Sequence, residues 1–182
     1  LGEEKDAKKI ARNIVKARLK KKITKVDELV NIIEKSKIKN FSTKINASTK
    51  TFQALRIFVN KEITELLNGI INATKFLKPG GKILVVSFHS IEDKIIKYFF
   101  SQFSKNKSRP SRYLPEEIDK NYVLFENYIN EVIKPSEKEL NKNNPSRSAK
   151  LRFATRSKNE FFYPTNLIQK FQRYLEIEGF HV

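Results

Sequence analysis

Leu77-Lys78-Pro79-Gly80-Gly81-Lys82-Ile83-Leu84-Val85-Val86-Ser87-Phe88-His89-Ser90-Ile91-Glu92-Asp93 carries the reading of this chain. Pro79-Gly80-Gly81 is a turn, and Ile83 to Val86 is an unbroken apolar run of strand length, as an interior strand requires. The run ends in Ser87-Phe88-His89-Ser90, where the spacing of Ser90 and Asp93 predicts a capping box on a following helix. Such a strand delivers polar groups to its own carboxyl end, the edge at which open α/β sheets bind ligands. Ser87 and His89 are therefore the candidate catalytic residues, and the strand tip is expected to border a cleft.

The flanks agree. Phe52, Leu55, Val59, Ile63, Leu66, Leu67, Ile70, Ile71 and Leu77 form a helical stripe, with a break expected near Asn60 or Gly69. Ile91, Ile95, Ile96, Phe99 and Phe100 mark the next helix, and Phe99, Phe100 and Phe103 read as core. Helix, strand, helix is one step of a parallel sheet, so the fold class expected is α/β, the late part of a Rossmann-like domain. Further on, Ser104 to Asn121 reads as a surface loop carrying Lys105, Lys107, Arg109 and Arg112. A strand is expected around Tyr128 to Ile133, followed by a Ser136/Glu139 capping box on a single helical turn. The run Ser148 to Thr155 has β character, expected to pair antiparallel with the strand before it, and Leu167 to Ile177 is a final amphipathic helix.

Charge is uneven. The net charge is +17, and residues 1–50 hold 15 Lys and Arg against 6 Asp and Glu. Ala7, Ile10, Ala11, Ile14, Val15 and Leu19 make the apolar face of a helix whose other face is cationic. Thr24 and Asp27 predict the capping box of a second helix, and the polar segment Ile38 to Ser48 marks a boundary. Such an excess draws polyanions, which favours nucleic acid over a membrane or a small acid as partner. A solubilising lysine coat is the bland alternative.

The chain opens on Leu1, contains no Met and starts almost inside a helical pattern, which reads as a fragment. Zero Cys rules out disulfides and thiolate metal sites, and His89 and His181 alone form no zinc cluster, so no metal is expected. No stretch reaches the roughly 20 apolar residues that cross a bilayer, and no targeting signal is recognisable.

Four segments in this order resemble the bacterial ribosomal RNA small-subunit methyltransferase H family, also called MraW: Thr49-Lys50-Thr51-Phe52-Gln53-Ala54-Leu55-Arg56-Ile57, Leu77-Lys78-Pro79-Gly80-Gly81, Ser87-Phe88-His89-Ser90-Ile91-Glu92-Asp93 and Arg147-Ser148-Ala149-Lys150-Leu151-Arg152. Gly2-Glu3-Glu4 with Ile10-Ala11-Arg12 resembles it too. The resemblance implies a cytoplasmic enzyme that methylates the exocyclic N4 of a cytidine in the decoding region of small-subunit (16S) ribosomal RNA, using S-adenosylmethionine. It further implies that residues 1–46 are the end of a helical insertion, 47–156 the carboxyl-terminal part of the catalytic domain, and 157–182 a tail with a helix. The family's cofactor-binding motifs belong upstream of Leu1, so the chain alone is expected to be inactive. Asn46-Ala47-Ser48-Thr49-Lys50 stands where the family carries His-Pro-Ala-Thr-Arg, and Asn144-Pro145-Ser146-Arg147 lacks one of its cations.

Within that resemblance, His89 either meets the base or ribose or satisfies backbone groups at a strand-to-helix turn. Lys50, Arg56, Arg147, Lys150 and Arg152 are the candidate RNA-binding residues, although Arg56 suits an internal ion pair and the last three suit a fold-closing contact equally well. Two rivals stand beside the methyltransferase. One is a non-catalytic RNA-binding or ribosome-assembly module; the other, a nicotinamide-dependent enzyme, needs a Gly-rich phosphate loop that this chain lacks. Oligomeric state is not legible.

Overall fold

The computed structural model describes residues 1–37, 46–105, 123–126 and 128–179, and these gather into two compact units, Leu1–Glu62 and Ile63–Val182. The expected loop over 104–121 and the boundary over 38–48 lie largely outside the described residues.

In the first unit, α1 (Ala7–Lys20) packs on α2 (Val26–Ser36), and α3 spans Thr49–Asn60. Ile10, Ile33 and Ile57 are its buried apolar side chains. Asn13 Nδ2 donates to Ser36 Oγ at 2.8 Å, which ties α1 to the end of α2. At the start of α2 the Thr24/Asp27 box is replaced by Glu28, whose carboxylate accepts from the Thr24 and Lys25 amides at 3.0 and 3.4 Å. Gly2 lies against α3 so closely that a Cβ there would stand 2.0 Å from the Lys50 carbonyl oxygen. The break in the long stripe falls at Lys61, in the left-handed region at φ 51°, and not at Gly69, which lies inside α4 (Glu62–Phe76).

The second unit is built on a two-stranded antiparallel ribbon. Strand β1 (Lys82–Ser87) pairs with β2 (Lys150–Thr155) in the register Lys82↔Thr155 to Ser87↔Lys150. This corrects the expected pairing, because β2 ladders with β1, and among the described residues its backbone pairing with the preceding segment is limited to isolated bridges, Phe125↔Arg156 just past β2 and Ile133↔Leu151. Among the described residues, therefore, the ladder is antiparallel and no parallel ladder forms. Gly80, at φ +80°, shapes the turn, and its amide donates to Arg156 O at 2.9 Å, fastening the turn to the end of β2.

Helix α5 (Ser90–Gln102) covers the ribbon face that carries Ile83, Val85, Arg152 and Ala154; α6 (Glu137–Lys142) is short, and α7 (Thr165–Ile177) packs on α5 with Tyr98 edge-on to Phe171. Phe99, Phe100 and Phe103 are buried, and Phe125 meets Phe99 and Phe100 edge-on at 5.1 and 5.2 Å, geometries that add to their burial. The opposite face is open: Leu84 is 61% exposed and Val86 53%. The apolar run is thus covered on one face only. The tail joins the same unit, where Glu178, just past α7, accepts from the Ile63 and Thr64 amides and caps the start of α4.

Candidate functional site

The carboxyl end of β1 turns into α5 over three residues, each with a different fate. Ser87 is buried, its hydroxyl 3.4 Å from the Lys150 carbonyl across the ribbon. Phe88 swings to the open side and is 55% exposed. His89 becomes the N-cap of α5, its Nδ1 accepting from the Glu92 amide at 3.4 Å.

The cap therefore sits one residue earlier than the Ser90/Asp93 spacing predicts. Glu92 closes it, its carboxylate accepting from the Phe88 amide at 2.8 Å and standing 3.3 Å from His89 Nε2. Burial raises the Glu92 carboxyl, but His89 and the Phe88 amide outweigh that and hold it below the ordinary glutamate value. Freed from capping, Asp93 takes Lys150 Nζ at 3.0 Å and Arg152 Nε at 2.7 Å. Here too burial raises the carboxyl, and the hydrogen bonds and charges of Arg152 and Lys150 carry it below the usual value.

Arg152 is 4% exposed, and its Nη1 also donates to Tyr128 Oη at 2.9 Å and Asn130 Oδ1 at 3.0 Å. Of the two alternatives for Arg152, the fold-closing contact is the one observed. Arg56 makes the internal pair as well, a bidentate contact to Glu62 at 2.7 and 3.0 Å, and Lys50 donates to the Glu3 carbonyl in the first unit. Lys150 is only half-buried, and Arg147 is exposed, touching the Asn144 carbonyl at 3.4 Å.

His89 thus stands together with Arg147 and Lys150 around a hollow of about 350 Å³, whose wall includes Phe88, Ser90, Lys134 and Ser148, while Ser87 is buried behind Lys150 and does not line it. Phe88 and Lys134 were not singled out in the sequence. Phe88 continues the outward alternation of Leu84 and Val86, and that period of two was the available signal; Lys134 gave none among so many lysines. Three cations and no carboxylate line the hollow among the described residues, so it suits a phosphate. A sulfonium donor, itself cationic, does not fit there, and the five glycines offer no Gly-rich cradle for one. Among the described residues no helix is long and apolar enough to cross a membrane.

A mixed helix-and-strand fold whose strand end opens on a cationic hollow is the layout of an α/β protein with room for an anion. The family model described as the MraW methylase family matches residues 1–157, and the chain belongs to that family. It is 43% identical over 157 residues to the protein named Ribosomal RNA small subunit methyltransferase H of Agrobacterium fabrum, covering 86% of this chain and 46% of the relative. The proteins of that name from Bartonella grahamii and Ehrlichia chaffeensis are 44% and 45% identical, over 88% and 83% of this chain and 48% of each relative. The chain spans about half the length of the curated relatives it matches.

Proposed function

We propose that the whole protein methylates the exocyclic N4 of a cytidine in the decoding region of small-subunit ribosomal RNA from S-adenosylmethionine, and that this chain forms the acceptor side of its site. The observation that carries the reading is the cationic hollow at the carboxyl end of β1, within the stretch matched to the methyltransferase family. In a Rossmann-like sheet β1 would be an interior strand, which accords with its apolar residues on both faces. The donor's seat is assigned to parts of the protein other than this chain, because the residues here do not fit it.

The acceptor makes particular demands. The cytosine amine is a weak nucleophile, its lone pair drawn into the ring, so the base has to be extruded and held at attack distance. Ser87 and His89 serve as positioning residues in this reading: they fix the turn from which Phe88 and Ser90 face the hollow. Arg147 and Lys150 meet RNA directly and Lys50 does so from the first unit, whereas Arg152 holds Asp93 beside β2 and Arg56 holds Glu62 within the first unit. The non-catalytic RNA-binding module would share the charge and the hollow but leave no methylated base.

The test is mass spectrometry of nucleosides from the small subunits of cells that carry or lack the gene. N4-methylated cytidine present only with the gene is expected, and its absence from both overturns the reading. His89→Asn, which keeps an N-cap acceptor, should retain methylation within about twofold, whereas His89→Ala should lower it about tenfold. Loss in both variants would make the imidazole itself necessary.

A further inference from the structure

The hollow at the end of β1 combines an exposed ring with unpaired charge, and neither feature is needed to hold the fold. Phe88 keeps over half its surface in water while its amide is tied to Glu92 at 2.8 Å, so the backbone fixes the ring at the rim. Lys134 and Arg147 line the same hollow, neither in an ion pair with another described residue, whereas the Lys150 charge is partly countered by Asp93. Ser90 and Ser148 add hydroxyl donors to the wall. Cations with an aromatic platform are the composition that binds single-stranded nucleic acid: the cations follow phosphate and the ring stacks on a base.

We propose that this hollow seats one nucleotide of a single-stranded RNA segment, its base stacked on Phe88 and its phosphate held by Lys134 and Arg147. The size agrees, since about 350 Å³ is at the small end of ligand pockets, which run from about 300 to 1,000 Å³, and leaves no room for a base pair. A duplex is disfavoured for another reason: its bases are already stacked and offer no face to Phe88. The inference rests on RNA being the acceptor, as proposed above, and adds which residues grip it and in what form.

Fluorescence anisotropy of the 182-residue chain with a labelled single-stranded cytidine hexamer, titrated from 50 to 300 mM NaCl, tests it. Each phosphate neutralised contributes about 0.7 to the salt slope of a single strand, so Lys134→Ala with Arg147→Ala, which together release one phosphate, should flatten the slope by about 0.7. Phe88→Ala should weaken binding about tenfold or more and leave the slope unchanged, because a ring carries no counterions to release. All three side chains are surface groups, and an unchanged melting temperature checks that the variants fold.

The paired control is Lys158→Ala with Lys170→Ala, two exposed lysines outside the hollow. If it flattens the slope as much as the Lys134/Arg147 pair does, binding is spread over the lysine coat and the seat is refuted. If inorganic phosphate displaces the hexamer as effectively as cytidine monophosphate does, or if Phe88→Ala binds as the parent does, the hollow is an anion trap and the nucleotide seat is refuted. No methyl donor enters these measurements. Subunits without methylated cytidine would sink the enzymatic reading and leave the seat standing, and a failed seat would leave the enzymatic reading intact.

Discussion

Asp93 lies between Lys150 and Arg152, and through them it joins α5 to the strand that supplies one wall of the hollow. Its folded pKa is depressed below the usual 3.8, so the stability it contributes is present above that value and lost as pH falls through the folded pKa. Asp93→Asn should cost about 3 kcal/mol at pH 7, because the buried Arg152 guanidinium is left without its counter-charge. The gap between the two proteins should close as pH falls below about 4, a convergence that urea denaturation from pH 7 to pH 3 would show. A constant gap would mean that Asp93 acts through packing alone. The hollow beside Phe88 to Ser90 was legible as a cleft at the end of the apolar run, but the capping residues were not. Ser90/Asp93 and His89/Glu92 have the same spacing, and what decides between them is the pull of Lys150 and Arg152, 57 and 59 residues further along the chain. Local spacing holds no trace of that pull.

Helix α4 begins where the backbone has just passed through a left-handed residue, and its first amides would be orphaned without a partner. Glu178 supplies one from the far end of the chain: its carboxylate takes the Ile63 amide at 3.1 Å, the Thr64 amide at 2.8 Å and the Thr64 hydroxyl at 2.7 Å, all buried. Glu178→Ala leaves those donors buried and unmet, so a loss of about 2 to 3 kcal/mol is expected in chemical denaturation. Glu178→Gln, which keeps one acceptor oxygen, should lose less, and equal losses would show that side-chain volume, not capping, is what matters. The helices themselves were legible from period and apolar spacing, α7 included. Strand pairing was not, because β2 has β character that suits any neighbour. The choice of β1 is made by the turn, where Gly80 and Gly81 exchange hydrogen bonds with Arg156, 76 and 75 residues further along the chain.

A net charge of +17 and an uncovered apolar strand face act on the whole molecule in opposite directions. Self-repulsion keeps copies apart at low ionic strength, while Leu84 and Val86, together with the partly exposed Phe153 opposite Leu84, favour burial against another surface. The edge of β1 away from β2 has no ladder partner among the described residues, and an open edge beside an apolar face is a template for pairing. The balance is set by screening, whose range shrinks from about 10 Å at 0.1 M salt to about 3 Å at 1 M. Sedimentation should therefore show a slower, smaller species at 0.05 M NaCl and concentration-dependent growth at 0.5 M. Leu84→Thr with Phe153→Thr keeps residues that suit a strand and removes the apolar surface, so it should abolish the growth without lowering the melting temperature by more than a few degrees. Growth undiminished in that variant would place the association elsewhere, with the exposed Val15 and Leu19 of α1 the next surface to alter.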